Sequence, residues 1–306
     1  MSLSLVPTPP APEAVAAIPE ALHRELAAWN HRRLAVGKPD AGWRESLRED
    51  LRMRLLEGAM VEAMRQEVAG RAAAAPSDPD GFVAWFEGQQ QTGPGQGDPL
   101  FPWLAESADM AQMRWYLLQE VAGEAGFDDL VAYAQVKMPT QAKLELARNY
   151  WDEMGRGNEG GMHGPMLGAL ADALELKPTI QGTVWPALAL GNVLIALATN
   201  RRYAYHAVGA LGAVELTAPW RSAMVAAGLK RLGVRRERQY FALHATLDVK
   251  HSQAWNREVL RPLVEADPES ARFMAEGALM RLLCGQRCFE TYRARLWGAD
   301  GLQRPA

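Results

Sequence analysis

Apolar residues recur every three or four positions along most of the chain, so the sequence reads as a succession of amphipathic helices. The first covers residues 19–36 and is ended by Gly37, Lys38 and Pro39. Residues 41–75 form a long or once-broken helix with charges of alternating sign (Arg44, Glu45, Glu49, Asp50), the pattern of a solvated face. Residues 76–99 are dense in Gly, Pro, Asp and Gln and read as a loop with a short structured piece around 82–86. Helices are then predicted over 102–123, 127–136, 140–154, 163–174 and 180–199. Three more follow over 203–232, broken near Pro219, then 237–264 and 268–297. No stretch of Val, Ile, Thr and aromatic residues alternates with the period of two that a strand requires. The expected fold class is all-α. Residues 1–18 are expected to be a mobile Pro-rich tail and residues 19–99 an N-terminal helical extension with its Gly/Pro-rich loop. Residues 100–306 form the main helical domain.

Composition changes this picture little. The 33 Lys and Arg against 36 Asp and Glu give a net charge of -3, which supplies no basic field and argues against nucleic acid as a partner. The longest apolar run, residues 183–199, contains Pro186, Gly191 and Asn192. It is shorter than the ~20 residues a membrane span prefers. With no basic-then-apolar leader at the N-terminus, a soluble, cytoplasmic protein without a membrane partner is expected. Cys284 and Cys288, the two cysteines, read as reduced packing thiols rather than a disulfide or metal pair.

The chemistry concentrates in a few positions. Of six histidines, His23 and His31 fall among charges in the first helix and read as surface residues, and His206 reads as packing. His244, Asp248 and His251 are spaced i, i+4, i+7, which places three side chains on one helical face. Two imidazoles and a carboxylate form the ligand set of a non-haem iron site. The other reading is a polar helix face that happens to carry them. Glu153 and His163 lie ten positions apart across GRGNEGG. Glycine is poor in helix interiors, so a non-helical, movable segment over 156–161 is expected, which lets the two side chains converge. That loop lacks the Lys-Ser/Thr and preceding strand of a phosphate-binding loop. Glu120 and Glu215 each interrupt apolar stretches, and a carboxylate buried there needs a partner. A metal, an arginine or surface exposure would each satisfy it.

The blocks WYLLQE, RNYWDEMGRGNEGGMHGPML, AVELTAPW and HATLDVKH resemble the haem-oxygenase-like diiron oxidases and oxygenases, the iron-containing redox enzymes, over residues 102–296. The resemblance implies a haem-oxygenase-like helical bundle over residues 100–306. It also implies two iron ions cycling between Fe(II) and Fe(III), with O2 as cosubstrate; crowding of four carboxylates, which take up protons when the site is empty, and the flexible 156–161 segment predict that one ion is labile. Carried over residue by residue, the metal ligands would be Glu120 from the first core helix, Glu153 and His163 from the second, Glu215 as an additional carboxylate, and His244, Asp248 and His251 from the third. No catalytic residue beyond these ligands is implied. Some members carry a His seven residues after the first-helix Glu; here that position is Phe127, so its role would pass to His163. Glu124 is the alternative to Glu120, and Asp152, next to Glu153, is expected to face elsewhere. The implied activity is oxidation of a small substrate, an amino-acid-like one on analogy, by N-oxygenation, desaturation or C–C cleavage. The electron donor is left open and a homodimer is allowed. The alternatives are a non-catalytic helical binding protein and a metal-free thiaminase-like or cofactor-biosynthesis relative, for which the seven candidates would be scattered in space.

Overall fold

The computed structural model describes residues 20–123 and 126–298; the expected tail over 1–18 and the alternative ligand Glu124 lie outside them. Among the described residues the regular structure is helical, and extended pairing is confined to an isolated antiparallel bridge between Met154 and Met162. The all-α expectation therefore stands.

Helices α1 (Glu20–Leu34) and α2 (Trp43–Ala72) lie where the apolar periodicity puts them. The segment expected as a loop instead contains α3 (Pro79–Thr92). Asp78 caps it by accepting a 2.8 Å hydrogen bond from the Gly81 amide, Pro79 occupies the first turn, and Phe82 and Phe86 are buried. The expected single helix over 102–123 is two, α4 (Leu100–Glu106) and α5 (Met110–Gly123). The break is a reciprocal cap: the Gln112 amide donates to Asp109 Oδ1 and the Asp109 amide to Gln112 Oε1, both at 2.8 Å.

Next come α6 (Phe127–Ala134), α7 (Thr140–Glu153), α8 (His163–Ala173) and α9 (Trp185–Thr199). The expected break at Pro219 is absent, because α10 (Ala204–Arg231) runs through it. Proline there removes one backbone bond and leaves the carbonyl of residue 215 without its helical donor, a cost of ~3 kcal/mol. Burial on several sides offsets this. α10 packs along both α11 (Gln239–Trp255) and α13 (Ser270–Leu296), with a π-helical turn (Asn256–Leu260) and α12 (Arg261–Ala266) between those two. The crossing of α10 and α13 is so close that a Cβ on Gly209 would lie 1.9 Å from the Met274 carbonyl oxygen, and one on Gly277 2.0 Å from that of His206. Only glycine fits there.

Two apolar cores flank this central pair. One joins α1–α3 to α9, α10 and α13 through residues such as Leu26, Met60, Phe82 and Leu211. The other joins α4, α5 and α8 to the later halves of α10 and α13 through Phe101, Leu170, Leu229 and Phe289. His23 is not a surface residue: it is buried and stacks on Trp185 with ring centroids 5.5 Å apart. His206 is core packing, paired through Nε2 with Glu276 Oε2 at 2.9 Å. Cys284 and Cys288 are buried free thiols. Among the described residues no helix is long and apolar enough to cross a membrane.

Candidate metal centre

Glu153 is the last residue of α7 and His163 the first of α8. Between them the chain makes two 3-10 turns, Gly155–Gly157 and Glu159–Gly161, so the regular helix is interrupted and distorted there as expected. Its neck is closed by the Met154–Met162 bridge. Gly155, at φ +60°, has no room for a side chain: a Cβ would sit 2.4 Å from the Gly161 carbonyl carbon. Closing the neck sets Glu153 and His163 side by side, with His163 Nδ1 2.5 Å from Glu153 Oε2. α10 brings Glu215, and α11 brings His244, Asp248 and His251 along one face.

These six side chains meet in one cluster, five of them buried and His244 half-buried. Donor atoms of Glu153, His163 and His244 all lie within 4.8 Å of one another, and so do those of Glu153, Glu215 and His251. Glu153 belongs to both sets. The His163 and His244 rings are 4.5 Å apart, and Asp248 Oδ1 is 3.9 Å from His251 Nδ1. Tautomers follow from acceptors that cannot donate. His244 Nδ1 donates to the Tyr240 carbonyl at 2.7 Å, leaving Nε2 with its lone pair. His251 Nε2 donates to Asp152 Oδ2 at 3.1 Å, leaving Nδ1 3.5 Å from Glu215 Oε2. Asp152 in turn accepts from Arg156 Nε at 2.6 Å, and Asn149 Nδ2 donates to Glu215 Oε1 at 2.5 Å.

The electrostatics are those of an acid cluster short of cations. Burial, then the charge of Glu215, raises the Glu153 carboxyl to about 9. Burial, then Glu215 and Glu153, raises that of Asp248. Burial lowers His163 and His244 to about 4, helped by the neighbouring imidazoles. Burial also opposes the charge on His251, but Glu215 and Asp152 beside it raise it to about 9. His163 Nδ1, Asp248 Oδ1 and His251 Nδ1 are buried without a well-directed hydrogen bond, although His163 Nδ1 lies 2.5 Å from Glu153 Oε2 and His251 Nδ1 3.5 Å from Glu215 Oε2. Polar atoms crowded in this way are costly to bury, and these three sit on the residues that converge. A nitrogen and oxygen donor set of imidazoles, neutral at His163 and His244 and able to lose a proton to metal at His251, with several carboxylates suits iron, so the residues fit the metal the resemblance implies.

Glu120 is in neither set. It lies on α5 facing Arg221, Tyr116, Arg281 and Tyr292, and burial raises its carboxyl against the pull of Arg221. The arginine alternative read from the sequence thus describes its surroundings. Asp152 also differs from expectation, because it faces the cluster and orients His251. Asp128, in the first turn of α6, was not singled out; it lines the same cavity and its charge acts on Glu153 and His163. Its sequence signal was the Asp128–Asp129 pair after Gly126, which reads equally as acids at a helix N-terminus. Beside the cluster is a cavity of about 200 Å³ walled by α5, α8, α9, α10 and α11.

The chain is similar to two crystal structures of a CADD-like protein of unknown function from Nostoc punctiforme. One has TM-score 0.46 and 18% identity, covering 82% of this chain and 100% of that one. The other has TM-score 0.45 and 18% identity, covering 78% and 98%. No curated protein matches the chain. The sequence pattern of the iron-containing redox enzymes matches residues 114–286, a span that takes in Glu120, Glu153, His163, Glu215 and the whole His244–Asp248–His251 face. The chain belongs to the family of iron-containing redox enzymes.

Proposed function

We propose that this protein is an O2-dependent non-haem diiron oxidase or oxygenase acting on a small organic substrate held in the cavity beside Glu153, His163 and His244. The observation that carries this reading is the convergence of six nitrogen- and oxygen-bearing side chains, five buried and His244 half-buried, whose donor atoms crowd together without directed hydrogen bonds at His163 Nδ1, Asp248 Oδ1 and His251 Nδ1. Glu153, His163 and His244 would hold one iron and Glu153, Glu215 and His251 the other, with Asp248 and Asp128 as further carboxylates. Two ferrous ions supply the electrons and open positions for binding and reducing O2.

The chain's own residues do the rest. Asp152 and Asn149 fix the directions of His251 and Glu215. Glu153 and Asp248 hold protons in the metal-free protein and release them when metal binds. The apolar cavity walls keep water from the reacting centre. One iron is expected to be held more loosely than the other, because the crowded carboxyls hold protons in the metal-free protein and each metal must displace them. A reducing cytoplasmic setting accords with the free thiols of Cys284 and Cys288.

Anaerobic Fe(II) titration of the full-length protein, followed by O2, tests the reading. Two equivalents of unequal affinity and a transient visible absorption are expected. Failure to take up iron would leave a non-catalytic binding protein or a metal-free relative.

A further inference from the structure

The cavity has a second polar end, built from α5, α10 and α13, that the metal chemistry does not use. Arg281 sits there in the middle of the apolar face of α13, 6% exposed and lining the cavity. Its Nε and Nη1 have no hydrogen-bond partner. Arg221, from α10, lies beside it. It is committed through Nε and Nη2 to the carbonyl and hydroxyl of Thr217 at 3.0 and 2.9 Å, with its guanidinium over the rings of Phe101 and Phe289. The acid facing both is Glu120, and among the described residues it forms an ion pair with neither. Two guanidiniums against one carboxylate leave an excess positive charge in an otherwise apolar wall.

We propose that Arg281, with Arg221 beside it, is the docking site for the carboxylate of a small organic acid whose apolar chain runs along the cavity toward Glu153 and His163. This inference rests on the oxidase reading for what happens at the far end of that chain, and on Arg281 alone for the binding. Among the described residues Arg281 makes no hydrogen bond, and its terminal Nη1 and Nη2 form the planar fork that a carboxylate accepts with both oxygens. Burial, then the charge of Arg221, pulls the Arg281 guanidinium down to about 9, so an added anion relieves a real cost. Ala187, Leu190, Leu194, Leu167 and Val225 give the cavity its apolar lining for the body of a ligand, with Gln119 and Ser222 among its uncharged polar groups. Arg221 follows Glu215 by six residues on α10, about 9 Å along the helix axis. An acid held at the arginines therefore presents a remote carbon of its chain, not its carboxyl carbon, to the metal end.

The test uses the full-length protein stripped of metal, so that a carboxylate cannot gain affinity by binding iron. Octanoate, 1-octanol and octylamine are titrated by calorimetry against the wild type, Arg281→Met and Arg281→Lys. Octanoate is expected to bind the wild type about ten- to hundredfold tighter than 1-octanol, the size of a charge-assisted hydrogen-bond pair. Arg281→Met should abolish that preference while keeping 1-octanol binding, and Arg281→Lys should retain part of it. Equal affinity for octanoate and 1-octanol in the wild type overturns the proposal without reference to any variant. So does a preference that survives in Arg281→Met. Fe(II) uptake is measured on the same proteins. Iron binding without carboxylate preference removes the Arg281 site and leaves the diiron reading intact. Carboxylate preference without iron binding does the reverse.

Discussion

The two ends of the cavity are built by the same device, charged side chains set into apolar helix faces, and differ in sign. At one end Glu153, Glu215 and Asp248 crowd together with His163, His244 and His251, and several of the buried donor atoms make no directed hydrogen bond. At the other, Arg221 and Arg281 share a single facing acid, Glu120. A buried charge without its counterpart is tolerated where a ligand supplies the missing sign. The comparison teaches that net charge at each end, not the presence of charge, identifies the chemical class of what binds. It also explains why Glu120, an acid in the right family position, stands apart from the other six: its neighbours are already cationic.

The sharpest way to break this division is to remove the carboxylate common to both donor sets. Glu153→Ala is expected to weaken Fe(II) binding at both positions by more than about 100-fold in anaerobic titration. A comparable loss in Arg281→Met would erase the distinction between the ends. Asp152→Ala leaves every donor in place and removes the acceptor that fixes the His251 tautomer. A drop of about 10- to 100-fold in affinity for one of the two ions is expected, with the other unchanged.

Acidity sharpens the comparison more gently. Glu153, ordinarily at 4.5, and His251, ordinarily at 6.5, both titrate near 9 in the folded, metal-free protein. Between pH 6.5 and 9 the folded chain therefore binds protons that the unfolded chain has lost, so stability falls as pH rises through this window. His163 and His244, lowered to about 4, are neutral in the folded chain throughout, and their opposite contribution, from histidines still part-protonated in the unfolded chain, fades above about pH 7.5. The unfolding midpoint of metal-free protein should drop by several degrees across the window. Metal affinity should rise over the same range. A flat melting profile would mean that the acid end carries no excess protons.

The weakest effect is expected from Glu120→Gln. It should leave Fe(II) uptake unaltered and raise octanoate affinity about threefold by removing the one negative charge at the arginine end. Loss of one iron equivalent in this variant would return Glu120 to the metal.

The legible part of this molecule was the part written in spacing. The i, i+4, i+7 face of α11 and the glycine-interrupted interval between Glu153 and His163 follow from helix geometry alone. What escaped depends on partners distant in sequence. Asp152 reads as a neighbour of Glu153 until α11 places His251 against it. Arg221 and Arg281 carry the same signal as Glu120 and Glu215, a lone charge among apolar residues, but a long arginine stem reaches solvent from an apolar face so readily that the signal is weaker for it. Pro219 and the Asp78–Pro79 start of α3 failed for a different reason. Proline marks a break in a solvated helix and a first turn at a cap, and local sequence does not separate these from a buried helix that tolerates it.

The closed neck between Met154 and Met162 has one more consequence. Two residues that bear on the same donor set, Glu153 and His163, are juxtaposed by one short run of chain, residues 153–163, whose hydrogen bonds are nearly all internal. Two of the three members of that set are thus encoded as a portable cassette. It needs only a helix leading in and a helix leading out, and the exposed tip can change in sequence without displacing either anchor. In folding terms this pair can assemble by local closure, before α10 and α11 arrive to complete the site.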